Sequence, residues 1–132
     1  MRCLIVEDDA VSSMALEQMM KKFGSTEAVA DGNQAVERFQ QAHTDKNPYD
    51  LILMDIMMSE LDGLKAVLQI RSIEGAMGVT YLRRVKIVMT TALTDPRTVM
   101  KALYESDANS YLIKPIRVQK LEDELRTLKL IE

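Results

Sequence analysis

A doubly wound α/β fold with a five-stranded parallel sheet is the architecture that this sequence predicts. Short apolar runs of strand length alternate along the chain with longer segments whose apolar residues recur every three or four positions. Such alternation is typical of repeated βαβ units, in which helices cover both faces of a parallel sheet. A length of 132 residues fits one domain, which we expect to span residues 1–132.

Five short runs have the composition of strands. Three of them are almost wholly apolar, as expected of interior strands, and the second and fifth are more polar, as expected of edge strands. This difference favours the strand order 2-1-3-4-5. The predicted strands are Cys3–Val6, Ser25–Ala30, Leu51–Met54, Val85–Met89 and Asn109–Ile113.

Helices are predicted where apolar residues share one helical face. The Asp95-Pro96 pair marks the start of the fourth helix, because proline is tolerated in a first turn. The long connection Glu74–Arg84 is expected to be a surface loop. The five stripes are Val11, Ala15, Met19 and Phe23; Ala35, Val36, Phe39 and Ala42; Leu61, Leu64 and Leu68; Val99, Ala102 and Leu103; and Val118, Leu121, Leu125 and Leu128.

The composition excludes several classes of site. The single cysteine, Cys3, cannot form an internal disulfide or a multi-cysteine zinc site, and we expect it to be buried. The single histidine, His43, has polar neighbours and is expected at the surface, not as a phosphodonor. A net charge of −3 argues against binding to a nucleic-acid backbone. Because no apolar run is long enough for a signal peptide or a membrane span, we expect a cytoplasmic protein.

Acidic residues follow two of the interior strands. Glu7, Asp8 and Asp9 come after the first strand, and Asp55 comes after the third. In a doubly wound sheet the ligand site lies beyond the carboxyl ends of the strands where the strand order reverses, which here is between these two strands. Carboxylates that converge there repel one another, and a hard cation such as Mg²⁺ relieves the repulsion. Asp8 or Asp9 could instead cap the first helix.

Two further strand ends carry groups that can hold anionic oxygens. Thr91 follows the fourth strand, and Lys114 follows the fifth. A carboxylate, a cation site, a hydroxyl and an ammonium group together suit phosphoryl transfer to an aspartate, in which positioning and charge stabilisation are the main requirements.

Four separated motifs carry a family resemblance. They are Leu4-Ile5-Val6-Glu7-Asp8-Asp9; Leu51-Ile52-Leu53-Met54-Asp55 through Asp62-Gly63; Thr91-Ala92; and Tyr111-Leu112-Ile113-Lys114-Pro115. In this order and spacing they resemble the receiver domain of bacterial response regulators, which has a flavodoxin-like fold. The resemblance runs from residue 2 to about residue 128 and is specific because all four motifs are in register.

The resemblance implies a role for each residue of the acidic cluster. Asp55 would be the phosphoacceptor. Asp8 would bind Mg²⁺ directly, Glu7 mostly through water, and the backbone carbonyl of Met57 would be a further ligand. Mn²⁺ could take the place of Mg²⁺ at such a site.

The resemblance also implies a switch. Thr91 and Lys114 would hold the phosphoryl oxygens, and Tyr111 would swing inward into the space that Thr91 vacates. The Lys114–Pro115 peptide bond would be cis, an isomer found almost only before proline. Phosphorylation would thus switch the face formed by the fourth helix, the fifth strand and the fifth helix.

The implied partners are proteins. The phosphodonor would be a histidine kinase or a histidine phosphotransfer protein, and an unidentified downstream protein would be the target. We expect no direct contact with nucleic acid or membrane, and either a monomer or a phosphorylation-linked dimer. The domain would catalyse only its own phosphotransfer and dephosphorylation. Since the chain ends just past the fifth helix, we expect the output to be in another molecule.

Three positions depart from the usual pattern of the family. Ser59 stands where proline is usual, Asp107 where glycine commonly ends the fourth helix, and Ile116 where phenylalanine is frequent. These positions bear on the packing of the switch face and not on the phosphoacceptor.

Three other functions have testable sequence requirements. A phosphatase with an aspartyl nucleophile would need a second carboxylate at position 57, where this chain has Met57. A flavin carrier would need an uncharged phosphate loop after the first strand, where Glu7-Asp8-Asp9 would repel the phosphate. A receiver that acts without phosphorylation would not need Asp8, Asp55, Thr91 and Lys114 to be intact.

Slow self-dephosphorylation is predicted from two apolar side chains. Met57 and Leu93 lie two positions after Asp55 and Thr91. In the family, the side chains at these two positions influence the attack of water on the aspartyl phosphate. Both side chains are apolar here, so neither can orient a water molecule. Replacing them together, Met57→Asn with Leu93→Glu, is expected to shorten the lifetime of the phosphorylated form. An unchanged lifetime, followed by loss of phosphate from the isolated phosphoprotein, would contradict the prediction.

Overall fold

The computed structural model is a parallel sheet with helices on both of its faces. It describes residues 1–58, 62–92 and 96–132, without the side chains of Thr98 and Ala102. Over these residues the strand order is 2-1-3-4-5, and every neighbouring pair is parallel. The predicted fold class and strand order are therefore confirmed. Four residues named above lie outside the described part of the chain: Ser59, Leu61, Leu93 and Asp95.

The observed elements follow the predicted alternation. No helix among the described residues is both long and apolar enough to cross a membrane. The strands are β1 (Arg2–Val6), β2 (Ser25–Val29), β3 (Leu51–Asp55), β4 (Lys86–Thr91) and β5 (Ser110–Ile113). The helices are α1 (Ala10–Met20), α2 (Gly32–Thr44), α3 (Gly63–Ala76), α4 (Pro96–Ser106) and α5 (Val118–Thr127), with a 3-10 helix at Tyr81–Arg83.

The core has two layers because successive side chains of each strand point to opposite faces of the sheet. In β1, Leu4 and Val6 pack with α2 and α3, whereas Cys3 and Ile5 pack with α1 and α5. Each fully buried aliphatic side chain contributes about 1.5–3 kcal/mol to the free energy of unfolding. The Cys3 thiol is fully buried in the core, as expected, and this burial raises its pKa to about 12.

The predicted stripes are wrong for two helices. In α1 the buried residues are Leu16 and Met20, while Val11 is 75% exposed. In α3 the buried face includes Val67 and Ile70, while Leu68 is 48% exposed. Both helices carry apolar residues on more than one face, so the choice of the buried face depends on how each helix lies on the sheet.

Aspartates begin three of the helices at the carboxyl edge of the sheet. Asp9 accepts hydrogen bonds from the backbone nitrogen and hydroxyl of Ser12, at 3.0 and 2.6 Å, and these bonds hold the pKa of Asp9 below its usual value. Asp31 and Asp62 cap α2 and α3 in the same way. Asp9 is therefore the cap of α1, which resolves the alternative that the sequence left open.

The connection between α3 and β4 is not simply a surface loop. Helix α3 continues to Ala76, and the side chain of Glu74 is 1% exposed. Its carboxylate accepts hydrogen bonds from the Val85 backbone nitrogen at 2.8 Å and from Arg71 at 2.7 Å. A buried carboxylate with strong donors on both oxygens ties the end of α3 to the start of β4.

The surroundings of His43 are less polar than the sequence predicted. It lies in the last turn of α2, where its ring meets the ring of the buried Phe39 edge-on, with 4.8 Å between the ring centroids. The expectation of a purely polar surface setting is thus wrong in part. Phe39 anchors one side of the imidazole to the core.

A cluster of charged groups holds the edge strand β2 to its neighbours. Glu27 contacts Arg2 at 2.5 Å and Arg38 at 2.7 Å, and Tyr49 donates its hydroxyl to the same carboxylate at 2.5 Å. The guanidinium of Arg2 also lies 4.3 Å from the centre of the Tyr49 ring. The hydrogen bond from Tyr49 and the charges of both arginines hold the pKa of Glu27 below its usual value.

The substitution Glu27→Gln is expected to lower the free energy of unfolding at pH 7 by about 1 kcal/mol. Because the folded-state pKa of Glu27 is lowered, its contribution is present above the unfolded pKa of about 4.3 and is lost as pH falls through the folded-state value. Urea unfolding at pH 7 and at pH 3 measures the difference. Glu37→Gln, on the exposed face of α2, is the matched control and should have little effect. An equal loss from Glu27→Gln at both pH values would contradict the electrostatic explanation.

Candidate functional site

Four of the predicted site residues meet at the carboxyl edge of the sheet. Glu7 follows β1, Asp55 ends β3, Thr91 ends β4 and Lys114 follows β5. Val6 pairs with Met54 and Thr91 pairs with Ile113, so these positions are level across the sheet. The strand order places Glu7 beside Asp55, at the point where the order reverses.

Lys114 is the cation of this cluster. Its Nζ donates to both carboxylate oxygens of Glu7, at 3.0 and 3.1 Å, and lies 3.3 Å from Oδ2 of Asp55. Burial lowers the pKa of Lys114, but the Glu7 and Asp55 carboxylates outweigh this effect and hold the pKa above its usual value. One ammonium group therefore contacts two nearly buried carboxylates.

Glu7 and Asp55 are each only 4% exposed and sit close together. Burial and the adjacent Asp55 carboxyl raise the pKa of Glu7 to about 7, although Lys114 acts in the opposite direction. Two like charges in a poorly solvated place disfavour full ionisation of both groups. The site thus has more negative charge than its one lysine neutralises.

A third carboxylate completes an oxygen-lined group. Asp8 is exposed, and its carboxylate lies with those of Glu7 and Asp55 so that one oxygen of each falls within 4.8 Å of the others. Three carboxylates with no soft ligand are a donor set that suits Mg²⁺ or Mn²⁺. An added divalent cation would also offset the excess negative charge. The residues present therefore fit the cation that the sequence led us to expect.

Met57 lies in the turn that follows β3. Its backbone nitrogen donates to Oδ1 of Asp55 at 3.2 Å, and its side chain is 66% exposed. The two oxygens of Asp55 thus have different partners, the Met57 amide on Oδ1 and Lys114 on Oδ2. The ligand role of the Met57 carbonyl stays a prediction.

Thr91 and Lys114 are linked through the backbone. The backbone nitrogen of Lys114 donates to the carbonyl oxygen of Thr91 at 2.7 Å, and Thr91 is fully buried. The Lys114–Pro115 bond is cis, as the resemblance implied. Tyr111 is partly buried and lines a cavity of about 550 Å³ together with Lys114 and residues of α5.

Gly63, which the sequence analysis named only as the end of a motif, packs against the backbone of Asp55 and so helps to position it. A Cβ atom at this position would lie 2.2 Å from the carbonyl oxygen of Asp55 and 3.0 Å from its carbonyl carbon. The first turn of α3 can approach the backbone of Asp55 this closely only because position 63 has no side chain. The sequence does contain a signal for this close approach. Asp62 is a typical helix cap, and it is followed directly by a residue without Cβ at the start of a helix.

Comparison with known proteins agrees with this geometry. Residues 3–126 match the family described as the response regulator receiver domain. The chain belongs to this family. Its match covers β1 to α5, including every element that contributes to the acidic site.

Individual relatives are distant in sequence. Histidine kinase 5 of Arabidopsis thaliana is 31% identical over 92% of this chain and 15% of its own length. Response regulator protein VraR of Staphylococcus aureus is 27% identical over 95% of this chain and 54% of its own length. The chain thus spans about half or less of these curated relatives.

The fold also matches solved structures. The receiver domain of the histidine kinase CKI1 from Arabidopsis thaliana, solved with Mg²⁺ and BeF₃⁻, superposes with a TM-score of 0.83 at 24% identity. The match covers 97% of this receiver domain and 89% of the solved chain. At this level of identity the likeness establishes the fold.

The substitution Gly63→Ala is expected to destabilise the protein by about 1–3 kcal/mol and to displace Asp55. Gly75→Ala in the same helix is the matched control, since a Cβ there meets nothing within 4 Å and alanine favours a helix by about 1 kcal/mol. Urea unfolding measures both effects. The rate of aspartyl-phosphate formation with acetyl phosphate should fall at least tenfold for Gly63→Ala and stay unchanged for Gly75→Ala. Equal behaviour of the two variants would contradict the proposed contact.

Proposed function

We propose that this receiver domain accepts a phosphoryl group on Asp55 from a phosphorylated histidine of a kinase or phosphotransfer protein. The observation that carries the proposal is the position of Lys114, whose Nζ lies within 3.3 Å of both Glu7 and Asp55. An ammonium group held between a nucleophilic carboxylate and an acidic cation site is suited to an incoming phosphoryl group. The relatives support this reaction, since they include a histidine kinase and a response regulator.

The transfer needs little covalent chemistry from the protein. A carboxylate oxygen of Asp55 forms a bond to phosphorus while the bond from phosphorus to the donor histidine nitrogen breaks, and the electron pair stays on that nitrogen. Asp55 attacks as the anion, which the Met57 amide and Lys114 stabilise. Lys114 and the hydroxyl of Thr91 then hold the phosphoryl oxygens.

We assign the cation site to Glu7, Asp8, Asp55 and the backbone carbonyl of Met57. When bound, Mg²⁺ would supply positive charge that offsets the charge of the transferring phosphoryl group. Glu7 contributes to this site while hydrogen-bonded to Lys114, which keeps its carboxylate in place. Asp9 takes no part, because its carboxylate caps α1.

The switch that we propose joins the site to the face formed by α4, β5 and α5. A phosphoryl group on Asp55 would draw the Thr91 hydroxyl toward it, and Tyr111 would move into the vacated space. The hydrogen bond from Lys114 to the Thr91 carbonyl supports a coupled movement of the two strand ends. The exposed Met100 and Tyr104 of α4 are suited to contact a protein target on this face.

An apolar groove next to Lys114 supports docking of the phosphodonor protein. It has a volume of about 390 Å³ and lies between α1 and the turn after β5, where Ala15, Met19 and Ile116 are among its lining residues. Val11, at its rim, is 75% exposed. A donor seated there would bring its histidine to the open side of the acidic site.

The remaining features of the proposal follow from this role. Residues 1–132 act as one domain, which is a monomer or a phosphorylation-linked dimer. The domain acts in the cytoplasm, where ATP phosphorylates histidine kinases. Its catalysis is limited to its own phosphotransfer and dephosphorylation. The downstream target is a protein, contacted directly, without nucleic acid or membrane.

Incubation with acetyl phosphate and Mg²⁺ is expected to add one phosphoryl group to the protein, detected by intact-mass spectrometry. Asp55→Asn should abolish the adduct, and removal of Mg²⁺ with a chelator should slow it by at least tenfold. Asp9→Asn is the matched control, because asparagine also caps a helix, and it should be phosphorylated normally. An adduct that persists in Asp55→Asn would contradict the assignment of the acceptor.

The substitution Val11→Glu is expected to slow phosphotransfer from a phosphorylated histidine phosphotransfer protein by at least tenfold. The added charge would disrupt an apolar contact at the groove without touching Asp55. Phosphorylation by acetyl phosphate should keep its rate, because this small donor needs no docking surface. Equal loss with both donors, or no loss with either, would contradict docking at α1.

A further inference from the structure

An exposed apolar segment lies at the edge of the sheet opposite to the acidic site. It is formed by Met77 and the 3-10 helix Tyr81–Arg83, just before β4 begins at Lys86. Strands of five or six residues, at about 3.3 Å per residue, separate the two edges by about 16–20 Å. This surface is therefore distinct from Asp55 and from the groove at α1.

The apolar side chains of the segment are unusually exposed for their size. Leu82 is 87% exposed, Tyr81 is 72% exposed and Met77 is 45% exposed. Single exposed apolar residues are common on protein surfaces, but these three lie within six consecutive positions. A contiguous exposed apolar patch is typical of an interaction site.

The exposure does not come from a loosely held loop. Glu74 binds the Val85 backbone nitrogen at 2.8 Å, immediately after the segment. Arg84 makes two hydrogen bonds to the Asp107 carboxylate, at 2.7 and 3.2 Å, and its guanidinium lies 4.6 Å from the centre of the Tyr81 ring. The 3-10 helix is thus held in place while Leu82 points away from the core, which is the condition of a preformed binding surface.

Two cavities flank the 3-10 helix. One, of about 290 Å³, lies on the side of Leu82 and Lys86, and the other, of about 590 Å³, lies on the side of Met77. His43, Pro48 and Arg83 line both of them. Cavities of these volumes hold single side chains or a short segment of chain.

The charge of this surface is opposite to that of the whole chain. Arg83 and Lys86 have no salt bridge among the residues that the structure describes, whereas Arg84 is paired with Asp107. Asp50 supplies a carboxylate to the cavity beside Leu82. This carboxylate accepts a hydrogen bond from the Arg2 backbone nitrogen at 2.8 Å. Arg83 and Lys86 outnumber the Asp50 carboxylate among these lining residues, and this local excess of positive charge selects for an acidic ligand.

We propose that the 3-10 helix Tyr81–Arg83 and its two flanking cavities bind an acidic segment of a partner protein. An apolar side chain of that segment enters a cavity beside Leu82, and flanking carboxylates meet Arg83 and Lys86. A protein segment fits better than nucleic acid, because two unpaired cations offer few phosphate contacts. Since the surface is remote from Asp55, the partner binds equally well before and after phosphorylation.

Selection of a random-peptide display library on the full chain with Mg²⁺ tests this proposal. Wild type is expected to enrich peptides in which Asp or Glu residues surround an aliphatic or aromatic residue. The double variant Leu82→Ser with Arg83→Glu should not enrich such peptides. An enriched peptide, labelled for fluorescence anisotropy, should bind the double variant at least tenfold more weakly. Lys21→Glu, at an exposed cation that follows α1 and lines neither cavity, is the charge-matched control, and Asp55→Asn should stay within twofold of wild type.

Several results would overturn the proposal. They are no enrichment, enrichment of basic or uncharged peptides, or the same peptides on the double variant. If wild type sediments as a dimer and Leu82→Ser makes it a monomer, the surface binds a second copy of this chain instead. If wild type binds phosphatidylglycerol vesicles as well as it binds the enriched peptide, the surface binds a lipid membrane instead. If the double variant fails to fold, NMR shifts caused by the enriched peptide in wild type decide, since they must map to residues 77–86.

Discussion

The contact of one ammonium group with two nearly buried carboxylates is the interaction on which the rest of this structure depends. Glu7 and Asp55 repel each other, and their close approach is tolerated because Lys114 contacts both. The three groups come from the ends of β1, β3 and β5, so they meet only when the sheet has formed in the order 2-1-3-4-5. The apolar strands that stabilise the fold therefore also assemble the site, and the unneutralised charge that remains gives the site its affinity for a cation.

A parallel sheet gives the two ends of the molecule different characters. All carboxyl ends of the strands lie at one edge, where Asp8 and Asp55 collect negative charge. All amino ends lie at the other edge, where Arg83 ends the 3-10 helix and Lys86 begins β4. The separation of about 16–20 Å exceeds the screening length of about 8 Å at physiological salt, so the two surfaces act independently in electrostatic terms. A receiver built in this way can exchange phosphoryl groups at one edge while a protein occupies the other.

The end of α4 shows how a departure from the family pattern is accommodated. Asp107 adopts a left-handed conformation with φ of 64°, which costs a non-glycine residue about 1–2 kcal/mol. Its carboxylate receives two hydrogen bonds from Arg84, and its carbonyl oxygen receives one from Arg71 at 3.0 Å. These charge-assisted bonds offset the backbone strain and lower the pKa of Asp107 through Arg84. The same contacts join α3, the 3-10 helix and the turn before β5 into one frame.

The sequence by itself determined the fold class, the strand order and the residues that gather at the carboxyl edge. These follow from local patterns, since strand-length apolar runs and the charged residues that end them are readable along the chain. Only the tertiary structure decided that Leu16 rather than Val11 is buried in α1, that Asp9 caps this helix, and that Gly63 must lack a side chain beside Asp55. It also decided that Glu74 is buried rather than in a surface loop. Each of these outcomes depends on which face of a helix meets the sheet or on contacts between distant residues, and the pattern of neighbouring residues does not encode them.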